Sequence, residues 1–230
     1  MGKHLFAFFI YWWLLWLSAC GAAQPLPLPV DIETKAIRGP QQMVAFLYRD
    51  QQGARLVSSL SASTDPPVPL EPPEQQVWLG EVDVPADVAL IAAGNVQYGM
   101  VIVQGDWQPA GQYGPGGVWP HALASPRLQP FTPETVALAD LLSNTRYEGQ
   151  VVRLQAALIV STGASLLVEE IGPGGVPAAT AHQIKLLYGE RDQALLERLQ
   201  ASGAARFGYV DAIGRWQQGR FEPLLLTLAP

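Results

Sequence analysis

The stretch Tyr98-Gly99-Met100-Val101-Ile102-Val103-Gln104-Gly105-Asp106-Trp107 constrains the fold of this chain more than any other, because it occurs twice. It returns near the C-terminus as Phe207-Gly208-Tyr209-Val210-Asp211-Ala212-Ile213-Gly214-Arg215-Trp216. Each copy reads aromatic, glycine, five strand-like residues, glycine, any residue, tryptophan, and each is followed by glutamine. The offset is 207 − 98 = 109 residues, close to half of a 230-residue chain. A self-similarity of that length points to two copies of one small domain. The repeated glycines fit bends or close backbone approach in a strand. The repeated tryptophans read as core residues or plugs at the end of a sheet.

The segments around the two copies follow a common order. In the first half, Gln42–Tyr48, Ala54–Leu60 and Gln75–Val82 are expected strands, with a hairpin-like turn at Arg49–Gly53. Ser61 to Pro73 carries five prolines and reads as a long surface loop, with a crossover or subdomain hinge as the alternative. Pro85–Gly94 reads as a short helix with proline in its first turn and glycine beyond its end. The signature strand follows, and Val118–Leu128 is the fifth strand. In the second half the expected strands are Gln150–Val160, Leu166–Ile171 and Gln183–Tyr188. A helix capped by Asp192 carries Leu195, Leu196 and Leu199 on one side. The second signature strand and Phe221–Leu228 complete the chain. Thr132-Pro133-Glu134 opens a leading helix over 133–143, with threonine as N-cap and proline at the first helical position.

The N-terminus stands apart from this pattern. Lys3 and His4 form a short basic region, and Leu5–Leu17 is an apolar run. At roughly 20 residues needed to span a bilayer, that run suits a signal peptide better than a membrane helix. It ends in Leu17-Ser18-Ala19-Cys20-Gly21, which resembles the bacterial lipoprotein lipobox. That resemblance implies removal of residues 1–19, lipidation of Cys20, and an extracytoplasmic chain held on the cytoplasmic membrane, or on an outer membrane where one exists. Cys20 is the single cysteine, so no internal disulfide can form. Residues 20–29 alternate proline and leucine toward their end and read as an extended tether.

Strand, strand, strand, helix, strand, strand in both halves resembles the OB-fold, a small Greek-key barrel. The segment Tyr147-Glu148-Gly149-Gln150-Val151-Val152-Arg153-Leu154, after a helix ending in Leu-Leu-x-Asn, is similar to the opening strand of many bacterial OB-fold modules, although Ala156 stands where many of them have glycine. The expected fold is therefore mainly β with short helices: two tandem five-stranded OB-like barrels, residues 30–130 and 131–230, joined by a helix. Whether they form one rigid body or two beads stays open at this level.

Residue chemistry argues against catalysis. Beyond His4 there are two histidines, His121 and His182, and no spacing that builds a metal site. No serine elbow is present. Glu169 and Glu170 are neighbours on an expected strand and point to opposite faces. The stretches Gly114-Pro115-Gly116-Gly117-Val118 and Gly172-Pro173-Gly174-Gly175-Val176 lack the Lys-Ser/Thr ending of a phosphate loop and read as turns. No cofactor is expected.

If the protein binds a ligand, the resemblance implies the face of strands two and three and the loops beside it. In the first half the loop between strands four and five holds Tyr113, flanked by Trp107, Trp119 and His121, a group suited to stacking on sugars, bases or apolar peptides. In the second half Arg153, Lys185, Arg206, Arg215 and Arg220 are the cations available to a nucleic acid. That half still counts 8 basic against 10 acidic residues, and the whole chain has a net charge of −6, which disfavours polyanion binding. The expected function is a lipid-anchored, non-catalytic binding or scaffolding module of the cell envelope, with protein or glycan as partner. Single-stranded nucleic-acid binding at the cell surface is the alternative.

Overall fold

A computed structural model describes residues 26–27, 41–187 and 192–229. The expected signal peptide, Cys20 and all of the expected tether except Leu26–Pro27 lie outside the described residues.

The protein is mainly β and contains a closed five-stranded barrel. The first half contributes β1 (Gln41–Asp50), β2 (Gly53–Val57), β3 (Val77–Gly80), β4 (Val96–Trp107) and β5 (His121–Pro130). Helix α1 (Leu138–Ser143) precedes the second half, where β6 (Val151–Ser161), β7 (Ala164–Val168) and β8 (Gln183–Leu186) are followed by helix α2 (Gln193–Arg198). The last two strands are β9 (Ala205–Gln217) and β10 (Arg220–Leu228). In the second half, β6 pairs antiparallel with β7 and β9, β7 with β8, and β9 with β10. The circle closes through a short parallel ladder from β8 to β10, Lys185 opposite Arg220 and Leu186 opposite Phe221. In the first half the ladders run β1–β2–β3–β5–β4 and β4 pairs back onto β1, again with a parallel step, here Val77–His121 and Trp78–Ala122.

Alternation along these strands decides what is inside. Val152, Leu154, Ala156 and Leu158 of β6 fill the second core with Leu167, Ile184, Val210, Trp216 and Phe221. Met43, Ala45 and Leu47 of β1 do the same in the first half with Leu56, Val77, Val101 and Val103. Each large side chain of this kind contributes about 1.5–3 kcal/mol when removed from water.

Both copies of the signature bend at the same place. The β4–β5 register breaks between Gln104 and Asp106, and the β9–β10 register breaks between Ile213 and Gly214. A Cβ on Gly214 would lie 2.4 Å from the Phe221 ring and 2.5 Å from the Glu222 carbonyl oxygen, so only glycine fits the bulge. The repeat also reaches further back than the sequence showed. Ile91–Ala93 pairs onto the start of β4, and Gln200–Ser202 onto the start of β9, around Gly94 (φ 56°) and Gly203 (φ 57°).

Three expectations need correction. The helix expected at Pro85–Gly94 is a single turn, closed by the Val88 N–H donating to the Pro85 carbonyl at 3.0 Å, and then the strand Ile91–Ala93. Gly94 closes a hairpin there rather than ending a helix, and buried Val88 packs into the first core beside partly buried Leu90. The leading helix starts at Leu138 rather than 133. Glu134–Thr135 run parallel to Val152–Arg153, and the Val136 N–H donates to the Arg153 carbonyl at 2.9 Å. Two β-branched residues, Thr135 and Val136, favour that extended path. Buried Leu138 and Leu141 of α1 then pack into the second core. The proline-rich segment after β2 is built into the sheet: Leu60–Ser61 lies parallel to Leu225–Leu226 of β10 and carries Val68–Pro69 as its own partner.

That segment joins the halves. The face of β1 turned away from the first core, Val44, Phe46 and Tyr48, packs with Val151 and Leu224 of the second half. A buried polar chain runs alongside it. Trp119 Nε1 donates to Gln76 Oε1 at 3.1 Å, and Gln76 Nε2 to the Glu71 carbonyl at 2.7 Å. Glu71 Oε1 accepts from Ser58 and from Ser59, the latter at 2.5 Å. Ser61 Oγ, two residues on, donates to Asp192 Oδ2 at 2.8 Å, and Asp192 Oδ1 caps α2 by accepting from the Leu195 N–H at 3.1 Å. Polar groups held inside a protein need such partners, and this arrangement makes the two halves one packed unit.

Candidate functional site

The structure brings the aromatic group of the first half together but turns its centre inward. Register places Tyr48, Arg55 and Trp78 side by side on one outer face of β1, β2 and β3. The loop after β4 extends the β4–β5 hairpin, with the Tyr113 N–H donating to the Trp119 carbonyl at 2.9 Å, and folds over that face. Trp119 is 2% exposed. Its ring stacks on Trp78 with centroids 4.7 Å apart and planes 24° from parallel. The Arg55 guanidinium lies 4.6 Å from the Tyr48 ring centroid and 5.5 Å from that of Trp119, a geometry in which a cation is attracted to both ring faces.

Asp50 orients this cation through two hydrogen bonds from Arg55, 3.0 and 2.8 Å long. Burial works against the charged carboxylate. The Arg55 hydrogen bond, reinforced by backbone N–H groups of Gln52 and Gly53 and by the charge itself, outweighs burial and holds Asp50 below the usual carboxylate range. Gly114, at φ 71°, completes the seal: a Cβ there would meet the Trp119 ring at 2.4 Å.

Trp119 is therefore unavailable as a contact while this loop is in place. Half-buried Tyr113 donates its hydroxyl to the Pro109 carbonyl at 2.5 Å. Half-buried His121 meets partly buried Trp107 edge-on, with ring centroids 6.4 Å apart. Trp78, Arg55 and Tyr48 escaped the sequence reading, because strand register alone brings them under the loop.

Three of the five candidate basic residues of the second half already have partners within the protein. Arg153 grips Asp211 through hydrogen bonds of 2.8 and 3.0 Å, and Arg215 grips Glu222 at 2.9 Å. Arg206 donates to the carbonyls of Leu196 and Glu197 at 3.1 and 3.4 Å. Only Lys185 and Arg220, neighbours across the β8–β10 ladder, remain of the five without such a bond among the described residues.

Lys185 lines a different feature, an open groove of about 710 Å³ between the β6–β7 hairpin and α2. Ser161, Thr162 and Ser165 line it from the hairpin, and Gln193 from α2. Gly163, at φ 82°, makes the tight turn that brings these hydroxyls round. Sequence reading missed this groove. Its one local signal was the Ser-Thr-Gly turn, and nothing in the sequence set α2 against it.

Among the described residues no group of three or more His, Cys, Asp or Glu side chains is placed to hold a metal. His182 Nδ1 lies 2.7 Å from Glu169 Oε2, and the contact holds the exposed Glu169 carboxyl below its usual range. No family model, curated protein or solved structure gives a significant match to the chain.

Proposed function

We propose that the protein is a lipid-anchored, extracytoplasmic binding or scaffolding module built from two tandem OB-like barrels, without catalytic activity, that offers its C-terminal groove to an envelope protein or glycan. Strand order supports the architecture. Each half pairs in the order one–two–three–five–four and back to one, with a parallel step from three to five, the order of a Greek-key OB barrel. Lipidation rests on the Leu17-Ser18-Ala19-Cys20 motif.

The contrast between the halves carries the functional reading. The first half covers its strand-two and strand-three face with its own Trp119. The second has only Gln218-Gly219 between β9 and β10 and leaves a groove beside β7 and β8. A volume of about 710 Å³ falls in the ~300–1,000 Å³ range of small-ligand sites. Nucleic-acid capture has less support, since Arg153 and Arg215 are already engaged by carboxylates.

A photo-crosslinking residue at Thr162 of the full-length protein in its native membrane tests the site. One reproducible envelope adduct from Thr162, and none from the same probe at Tyr113, is the expected result. Adducts from Tyr113 alone would move the site back to the first half.

A further inference from the structure

Resting on that assignment of the groove, we infer that its ligand is an acidic saccharide, whose carboxylate is bound by Lys185 and whose hydroxyls are bound by the β6–β7 hairpin. Lys185 is the one charged side chain among the described lining residues, in a protein of net charge −6. Its neighbours along the groove edge are the hydroxyls of Ser161, Thr162 and Ser165 and the amide of Gln193. Hydroxyls and a primary amide both donate and accept hydrogen bonds, which matches a polyol ring. A strongly anionic chain such as nucleic acid calls for several cations instead.

The apolar lining supports the same class. Val160, Leu187 and Leu196 provide aliphatic surface, and Leu187 is 47% exposed. No described lining residue is aromatic, so the described lining holds no stacking platform of the kind that binds nucleobases. Aliphatic surface beside hydroxyls suits the C–H face and the rim of a sugar ring. A peptide adding as a β-strand would need a free sheet edge. β7 pairs with β6 along its length and with β8 over Leu166–Val168, and β8 pairs with β10 over Lys185–Leu186. This leaves only Ala164–Ser165 of β7 without a second partner among the described residues, too short an edge to seat a strand.

The probe is a hexuronate oligosaccharide, compared with its neutral hexose counterpart, an acidic peptide and a single-stranded oligonucleotide. Binding is read by calorimetry and amide chemical shifts on the intact folded protein. The hexuronate should bind at least about tenfold more tightly than the neutral sugar, the increment of one charge-assisted hydrogen bond. Lys185→Ala should remove that margin and Lys185→Arg should keep part of it. Thr162→Ala should weaken both sugars, and the perturbed amides should cluster at 161–165 and 185–187. Equal affinity for the neutral sugar, a Lys185→Ala variant that binds as wild type, or preference for peptide or oligonucleotide would each overturn the proposal. Crosslinking from Thr162 without hexuronate binding would refute the ligand class and leave the groove assignment standing. Loss of both would refute the groove itself.

Discussion

Gly105 and Gly214, at equivalent positions of the repeat, stand at the same bulge in the fourth strand of their respective halves, yet they are unequally crowded. The nearest atom to a Cβ at Gly105 is the Ala124 carbonyl oxygen at 3.1 Å, whereas at Gly214 the Phe221 ring and Glu222 carbonyl lie within 2.5 Å. Gly214→Ala should therefore destabilise the protein by about 1–3 kcal/mol, the usual cost of overpacking. Gly105→Ala should cost distinctly less. Urea unfolding of the two variants checks the order, and equal midpoints would contradict it.

Trp119 and Tyr113 separate a core role from a binding role. Trp119→Ala removes the Trp78 stack, the Gln76 hydrogen bond and a wall of the Arg55 site. A loss of about 3–5 kcal/mol is expected for a buried tryptophan. Tyr113→Ala should cost about 1 kcal/mol, one net hydrogen bond. A Trp119→Ala protein as stable as wild type would show that the loop does not seal the face.

Ser61 and Asp192 link the halves through one buried hydrogen bond of 2.8 Å. Ser61→Ala, Asp192→Ala and the double variant form a cycle whose coupling energy should fall between about 0.5 and 3 kcal/mol. Asp192→Ala alone should cost more than Ser61→Ala, since it also removes the cap on the Leu195 N–H. Strict additivity would mean that the contact does not join the halves energetically.

The Asp50–Arg55 pair sets an acid limit. Asp50 is held below its unfolded value, so its contribution is complete above the ordinary aspartate range, about pH 3.9, and is lost as pH falls through the folded value. The gap in melting temperature between wild type and Asp50→Asn should be widest near neutral pH and should narrow below about pH 4. A gap constant down to pH 2 would contradict this.

Cys20→Ser tests the address. Membrane-associated protein should become soluble or stay unprocessed, and incorporation of labelled fatty acid should disappear. Unchanged membrane association would remove the anchor from the proposal.

Local chemistry carried much of the fold. β-rich alternation, the glycines that turn hairpins and the Asp192 cap were legible because each depends on a few neighbouring residues. The helices at Pro85–Gly94 and Thr132–Ser143 misled for the same reason. Proline and cap residues mark the start of a helix locally, but strand pairing claimed both segments, Ile91–Ala93 through its hairpin to Val96–Tyr98 and Glu134–Thr135 through Val152–Arg153. The candidate site was read only in part. Tyr113, Trp119 and His121 do share one hairpin, but side-chain orientation depends on register, and Trp119 turned out to face Trp78 and Arg55.

By itself, the sequence determined the β class and the matched glycine and tryptophan spacing of the two signature strands, since these follow from alternation and backbone sterics. Only the tertiary structure decided that Leu60–Ser61 joins β10, that Trp119 closes one face and that Lys185 opens onto a groove beside α2. The physical reason is sequence separation. Such contacts are made by residues tens of positions apart, and they form or fail according to how strands pair and what their outer faces leave uncovered, which no local pattern encodes.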